Sequence, residues 1–164
     1  MEKEGVGALS LREVARRAGV SHNAPYRHFP DREALLAGLA AEGFAELGQE
    51  LARHSGADGG VAYVRFALAH PERFRLMFGG QIAYDRHPEL RKQADAAYLG
   101  LEKSFAQLGD EARFAAAATW SLVHGLAQLL LDGHFVQGKG EDSEVFVRKV
   151  LGAVRFAVGG QRSA

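Results

Sequence analysis

Apolar and polar positions along this chain follow the 3.6-residue period of an α-helix almost throughout. Leu11, Val14, Ala15 and Ala18 form a stripe that predicts a short helix over Ser10 to Ala18, with Ser10 and Glu13 spaced as a capping box. Gly19 should stop it in the left-handed conformation that costs glycine nothing. Ser21 can cap a second short helix over His22 to Phe29, and Pro30-Asp31 ends that one and caps the next. From Arg32 a long helix carries Leu36, Leu39, Ala40, Phe44, Leu47 and Leu51 on one side and fades at His54 to Gly60, the candidate linker.

Gly60 to His70 reads as a further helix, rich in aromatics. His70-Pro71-Glu72 and His87-Pro88-Glu89 read as helix starts, because proline at a first turn lacks only a donor that would be unpaired anyway. Leu90, Ala94, Ala97, Tyr98, Leu101, Phe105 and Leu108 keep helical spacing from Glu89 to Leu108. Glu111 to Leu131 is apolar nearly all round, which predicts burial on several faces. A glycine-rich, charged break (Asp132 to Asp142) precedes a last helix over Ser143 to Val158. Val147, Leu151, Val154 and Val158 form its stripe, beside Phe146, Val150 and Ala157. No stretch alternates as a strand does, so the expected fold is all-α.

Composition sharpens this picture. An apolar fraction of 47% supports a true core, and four prolines leave helices uninterrupted. Glycine pairs at Gly59-Gly60, Gly79-Gly80 and Gly159-Gly160 look like helix ends. With no cysteine, disulfides, thiolate metal sites and cysteine nucleophiles are excluded. Phe114 to Leu131 runs 18 residues without a charge, close to the ~20 a spanning helix needs. Thr119, Ser121, His124, Gly125 and Gln128 within it favour a buried helix over a membrane span. No charged-then-apolar signal opens the chain, so a cytoplasmic protein without a membrane partner is expected. Net charge is zero, yet Arg12, Arg16, Arg17, Arg27 and Arg32 face only Glu13 and Asp31 between Ser10 and Arg32. A solvated basic face is one reading of that patch and a phosphate-binding face the other.

The motif inside the patch decides between them. Ala15-x-x-x-Gly19-Val20-Ser21, then Tyr26-x-His28-Phe29, then Asp31-Arg32 leading into Ala34-Leu35-Leu36, resembles the DNA-binding head of TetR-family regulators. Downstream, Trp120-Ser121-Leu122-Val123-His124-Gly125, preceded by His70 to Gly79, resembles the sensor domain of a TetR subgroup with a Trp-x-x-x-His-Gly motif. The resemblance implies a helix-turn-helix head with its connecting helix (1–54) and a helical ligand-sensing and dimerisation domain (55–164). Family members place a helix of about four turns before the segment that starts here at Ala8. Met1 to Gly7 offers only the tail of one, so the head is expected to lack its first helix.

In a helix-turn-helix the first residues of the second helix meet base edges, which points to His22, Asn23 and Ala24. Asparagine pairs bidentately with adenine, and alanine touches a thymine methyl. By resemblance Tyr26 and His28 contact phosphates, with Ser10, Ser21 and Arg32 helping from helix starts and Arg27 adding attraction. In the body, Phe66, Phe74, Met77, Phe78, Ile82, Tyr98, Phe105 and Trp120 are candidates to line an effector cavity, a filled core being the commoner fate of such residues. His124, a polar ring among alanines and leucines, needs a partner. Gln128 one turn later or a ligand would serve.

His124, Asp132 and His134 cross a helix end and lack a fourth ligand, so no metal or cofactor is expected. No nucleophile–base–acid set or phosphate loop suggests an enzyme. The expected protein is a ligand-responsive regulator, usually a repressor in this family. It would bind a palindromic operator in double-stranded DNA as a homodimer paired through Glu111–Leu131 and Ser143–Val158, and would answer to a small-molecule effector. The alternative is a helical small-molecule-binding dimer that lost DNA binding with its first helix.

Overall fold

The computed structural model describes Ala15, Arg16, Gly19, Ser21, Ala24, residues 27–135 and residues 142–158. Among these there is no strand, and six long helices carry the fold: α1 (Arg32–Leu51), α2 (Gly56–Ala69), α3 (Pro71–Phe78), α4 (Pro88–Lys103), α5 (Ala112–Leu131) and α6 (Ser143–Val158). Expectations about residues 1–14, about Met1 to Gly7 as the tail of a helix, and about Gly159-Gly160 lie outside the described residues.

Local chemistry sets the helix starts. The Asp31 carboxylate accepts the Ala34 N–H at 2.8 Å, closing the first turn of α1. Asp142 does the same for α6, accepting from Glu144 at 2.7 Å and Val145 at 3.4 Å. Proline opens α3 and α4 as the two His-Pro-Glu triplets require. Gly19 is left-handed at φ 67°, and its N–H reaches the Arg16 carbonyl at 3.3 Å.

Contacts divide the chain into two compact units. The first joins Met1–Glu46 to His70–Ala97. Its centre is aromatic: Phe44 meets Phe78 edge-on at 5.1 Å and Tyr84 at 6.1 Å, while Phe74 lies 4.9 Å from Phe78. Phe74 and Met77 are wholly buried, and Leu35, Leu36, Ala40 and Leu90 complete the packing. Gly43 leaves room here: a Cβ at that position would stand 2.6 Å from Met77 Sδ, and the methionine would have to shift. The Tyr84 hydroxyl donates to the Met77 carbonyl, and Arg73 pairs with Glu46.

The second unit joins Leu47–Ala69 to Tyr98–Ala164. There α2 packs on α5 and on α6. Val61, Ala62, Tyr63, Val64, Phe66 and Ala67 supply its buried face, opposite Val123, Leu126 and Ala127 of α5 and Val147 of α6. Two ion networks fasten it. Glu50 accepts from Arg65 at 2.5 Å and Arg53 at 3.1 Å and lies 3.4 Å from His54, and Arg148 donates to Asp58 at 2.5 Å and to Glu144 at 2.9 Å.

Three expectations are corrected. The stretch His54 to Gly60 is no linker from Gly56 onward: α2 begins there, and Gly59-Gly60 lies inside it rather than at an end. Packing overrides glycine's poor helix propensity, because a Cβ on Gly60 would stand 2.7 Å from Leu151 Cδ1 and 3.3 Å from Val123 Cγ1. The helix expected over Glu89 to Leu108 stops at Lys103. The Ser104 hydroxyl donates to the Leu101 carbonyl at 2.6 Å, and a 3₁₀ segment over Ala106–Glu111 turns at Gly109 (φ 58°). Finally, α5 buries one face only. Phe114, Trp120 and Leu129 stand exposed, Phe114 by 55%.

Candidate functional site

Two sets of residues carry the candidate chemistry. In the head, Ser21, Arg27 and His28 are exposed, Arg16 is exposed beside them in sequence, and Ala24 and Arg32 are half-buried. Turn hydrogen bonds run from Ala24 N–H to the Ser21 carbonyl (2.8 Å) and from Arg27 N–H to the Ala24 carbonyl (3.2 Å). Phe29, half-buried, turns its ring toward Gly38, 3.1 Å from where a Cβ would stand. Ser10, His22, Asn23 and Tyr26 lie outside the described residues.

The nine effector candidates divide between the units. Phe74, Met77, Phe78 and Ile82 belong to the first, where Phe74, Met77 and Ile82 are part of the packed core and Phe78 is half-buried. Phe66, Tyr98, Phe105, Trp120 and His124 belong to the second. Phe66 is buried, Tyr98, Phe105 and His124 are half-buried, and Trp120 is 36% exposed.

Within the second unit the structure brings Tyr98, Trp120 and His124 together around a residue that sequence reasoning did not single out, Tyr63 of α2. Trp120 Nε1 donates to the Tyr63 hydroxyl at 3.2 Å, and that hydroxyl lies 2.9 Å from His124 Nδ1. Tyr98 packs on the Trp120 ring at 5.6 Å, and Trp120 meets His124 edge-on at 6.2 Å. The spacing Trp-x-x-x-His sets both side chains one turn apart on one face of α5, and Tyr63 closes the triangle from the facing helix. His124 therefore finds its partner in Tyr63 rather than in Gln128, whose amide is taken by the Asp132 carboxylate at 3.0 and 3.1 Å.

Burial pushes the Tyr63 hydroxyl well above its ordinary pKa and pushes His124 below its own. Both groups are thus neutral at pH 7. Indole N–H can only donate, so Tyr63 accepts from Trp120. The 2.9 Å contact of that hydroxyl with His124 Nδ1 takes its direction from the histidine tautomer. One sequence signal pointed toward Tyr63: a phenol inside the apolar run Val61 to Val64 needs a partner for the same reason His124 does.

A separate open groove of about 480 Å³ lies in the first unit, floored by Ala34, Ala37, Gly38 and Ala41 and reaching His87, which pairs with Glu33 at 3.2 Å. It shares no residue with the nine candidates.

An all-helical protein with a helix-turn-helix pattern in its N-terminal sequence and a helical C-terminal domain is the class these features define. Residues 1–39 match the model for bacterial regulatory proteins of the tetR family, and residues 57–154 match that for the tetracyclin repressor-like C-terminal domain. This chain belongs to the TetR family of DNA-binding transcriptional regulators. The structure of a protein of unknown function from Rhodococcus sp. RHA1 is similar over 93% of this chain and 84% of that one, at 34% identity and TM-score 0.74. The crystal structure of SCO4313, described as a candidate regulatory protein, is similar over 93% of this chain and 87% of that one, at 25% identity and TM-score 0.73. No curated protein matches the chain.

Proposed function

We propose that this protein is a ligand-responsive repressor that binds a palindromic operator as a homodimer in the cytoplasm. The head and connecting helix (1–54) read DNA, and the domain at 55–164 binds the effector and pairs the two chains. The observation that carries this reading is the apolar face that α5 leaves open. Phe114 and Leu129, with Val145 of α6 also exposed, are costly to leave in water and suit a self-complementary partner. The same face argues against reading the segment from Ala106 to Leu131 as a membrane span: it is long and apolar enough by composition, but α5 already spends its other face on α2.

On DNA, His22, Asn23 and Ala24 meet base edges, while Ser10, Ser21, Tyr26, Arg27, His28 and Arg32 hold phosphates. Phe66, Tyr98, Phe105, Trp120 and His124 form the effector wall in the second unit. Phe74, Met77, Phe78 and Ile82 are reached by an effector only if the first unit's packing opens. Effector binding shifts the population of head spacings and so the fit to two half-sites.

The test is selection of random duplexes by the purified protein. Enriched sequences should be inverted repeats, and Asn23→Ala should cost about 1–3 kcal/mol at one base-pair position in each half-site. Enrichment of a single asymmetric site, or none, would remove the symmetric repressor reading.

A further inference from the structure

Glycine in the interior of a long helix weakens it relative to alanine, and packing usually supplies the reason it is there. Several glycines of this chain have that reason within the chain. A Cβ on Gly38 would meet Phe29, one on Gly43 would meet Met77, and one on Gly60 would meet Leu151 and Val123. Gly59 and Gly100 fall in the first turn of α2 and the last turn of α4, where a weak helix former costs less. Gly125 has no such reason. It lies well inside α5, and a Cβ there would meet no atom of another element within 4 Å.

The face of α5 that carries Gly125 supplies one. Phe114, Ala118, Ser121, Gly125 and Leu129 follow one another in steps of four and three residues, which sets them in one row along the helix. Gly125 is half-buried and the other four are exposed. No charged residue interrupts Phe114 to Leu131. Along the row the side chains run large, small, small, small, large, and the order is the same from either end.

We propose that two copies of α5 cross antiparallel over Ala118, Ser121 and Gly125, close enough for backbone to approach backbone. Phe114 then rests on the partner subunit's Leu129 at each end. This rests on the homodimer proposed above and adds where the two chains meet and which residue lets them approach. A two-fold axis through the middle of the row requires that residue i meet j and j meet i, and the size order of this face satisfies that. A helix of different sequence has no such symmetry to match. Helix axes pack about 8–10 Å apart according to the side chains between them, and a floor of alanine, serine and glycine takes the near end of that range. Antiparallel order also opposes the two helix dipoles, whereas parallel order would align them. The Ser121 hydroxyl already donates to the Ala117 carbonyl at 2.8 Å, so closing the face strands no polar group of that side chain.

The chain contains no cysteine, so single cysteines report on the crossing without background. Under mild oxidation Ser121→Cys should link to its own counterpart, because residues beside a two-fold axis meet themselves and a disulfide spans about 4.4–6.8 Å between Cα atoms. Phe114→Cys alone and Leu129→Cys alone should stay unlinked, each standing about 22 Å from its own counterpart at the helical rise. A mixture of the two, with one copy tagged, should give the linked mixed pair. Gly125→Leu should raise the dimer dissociation constant roughly tenfold or more, because the larger side chain overpacks the crossing. The helical circular dichroism of its monomer should be unchanged or stronger, since leucine is the better helix former. A dimer in which Ser121→Cys does not link, or in which Phe114→Cys links to itself, overturns the antiparallel crossing and leaves the homodimer standing. So does an unchanged dissociation constant for Gly125→Leu. A wild-type chain that stays monomeric in light scattering removes the homodimer, and the crossing with it. If Gly125→Leu does not fold, the cysteine pattern decides alone.

Discussion

The two aromatic clusters of this molecule are built from similar side chains and differ in what their polar atoms do. In the first unit Phe44, Phe74 and Phe78 interlock with Met77, and Tyr84 settles its hydroxyl on a backbone carbonyl. In the second unit Tyr63, Trp120 and His124 meet one another through side chains, and Trp120 and Tyr98 remain partly open. The same aromatic content thus gives a fixed core in one place and an adjustable one in the other. Aromatic residues at helical spacing are not by themselves a ligand cavity. The discriminating feature is whether their polar handles are answered by the backbone or by titratable neighbours.

The largest effect that should separate the clusters is Phe74→Ala. Phe74 is wholly buried, and its truncation should lower stability by about 3–5 kcal/mol, read from chemical denaturation. A loss below about 1 kcal/mol, small for a wholly buried phenylalanine, would mean that the first unit is as adaptable as the second. Tyr63→Phe comes next. It removes no volume but leaves Trp120 N–H and His124 Nδ1 without their shared partner, and should cost about 1–3 kcal/mol in the same experiment.

Acid should act on the second cluster alone. His124 is held below its ordinary pKa by burial, so between its ordinary value and its folded one the unfolded chain binds the extra proton. Stability from this group is therefore complete above about 6.5 and is lost as pH falls toward the folded value. Thermal unfolding of the wild type should fall across that range relative to His124→Gln, which has no titrating group there, so the gap between the two should change toward the acid end. Smallest is Asp142→Ala, which removes the cap of α6 and should cost about 1 kcal/mol, visible as earlier exchange in Ser143 to Val147.

Much of this was legible in the sequence for a definite reason. Stripes such as Leu36, Ala40, Phe44 and Leu47 depend only on local period, and the caps at Asp31 and Asp142 only on neighbours a few residues away. What was not legible depended on distant partners. Gly59-Gly60 reads as a break until Leu151 and Val123 are known to press against it. Phe105 and Leu108 keep their period across a 3₁₀ turn that the left-handed Gly109 creates, so spacing alone extends the helix too far. His124 announced that it needed a partner. Its identity as Tyr63, 61 positions away, came only with the packing of α2 on α5.

The central claim is that the open face of α5 belongs to a second copy of this chain. Light scattering on the purified protein at micromolar concentration measures it directly. Twice the chain mass of 17.7 kDa is the result this account predicts. A particle that stays at 17.7 kDa across the concentration range would contradict it, and with it the symmetric operator.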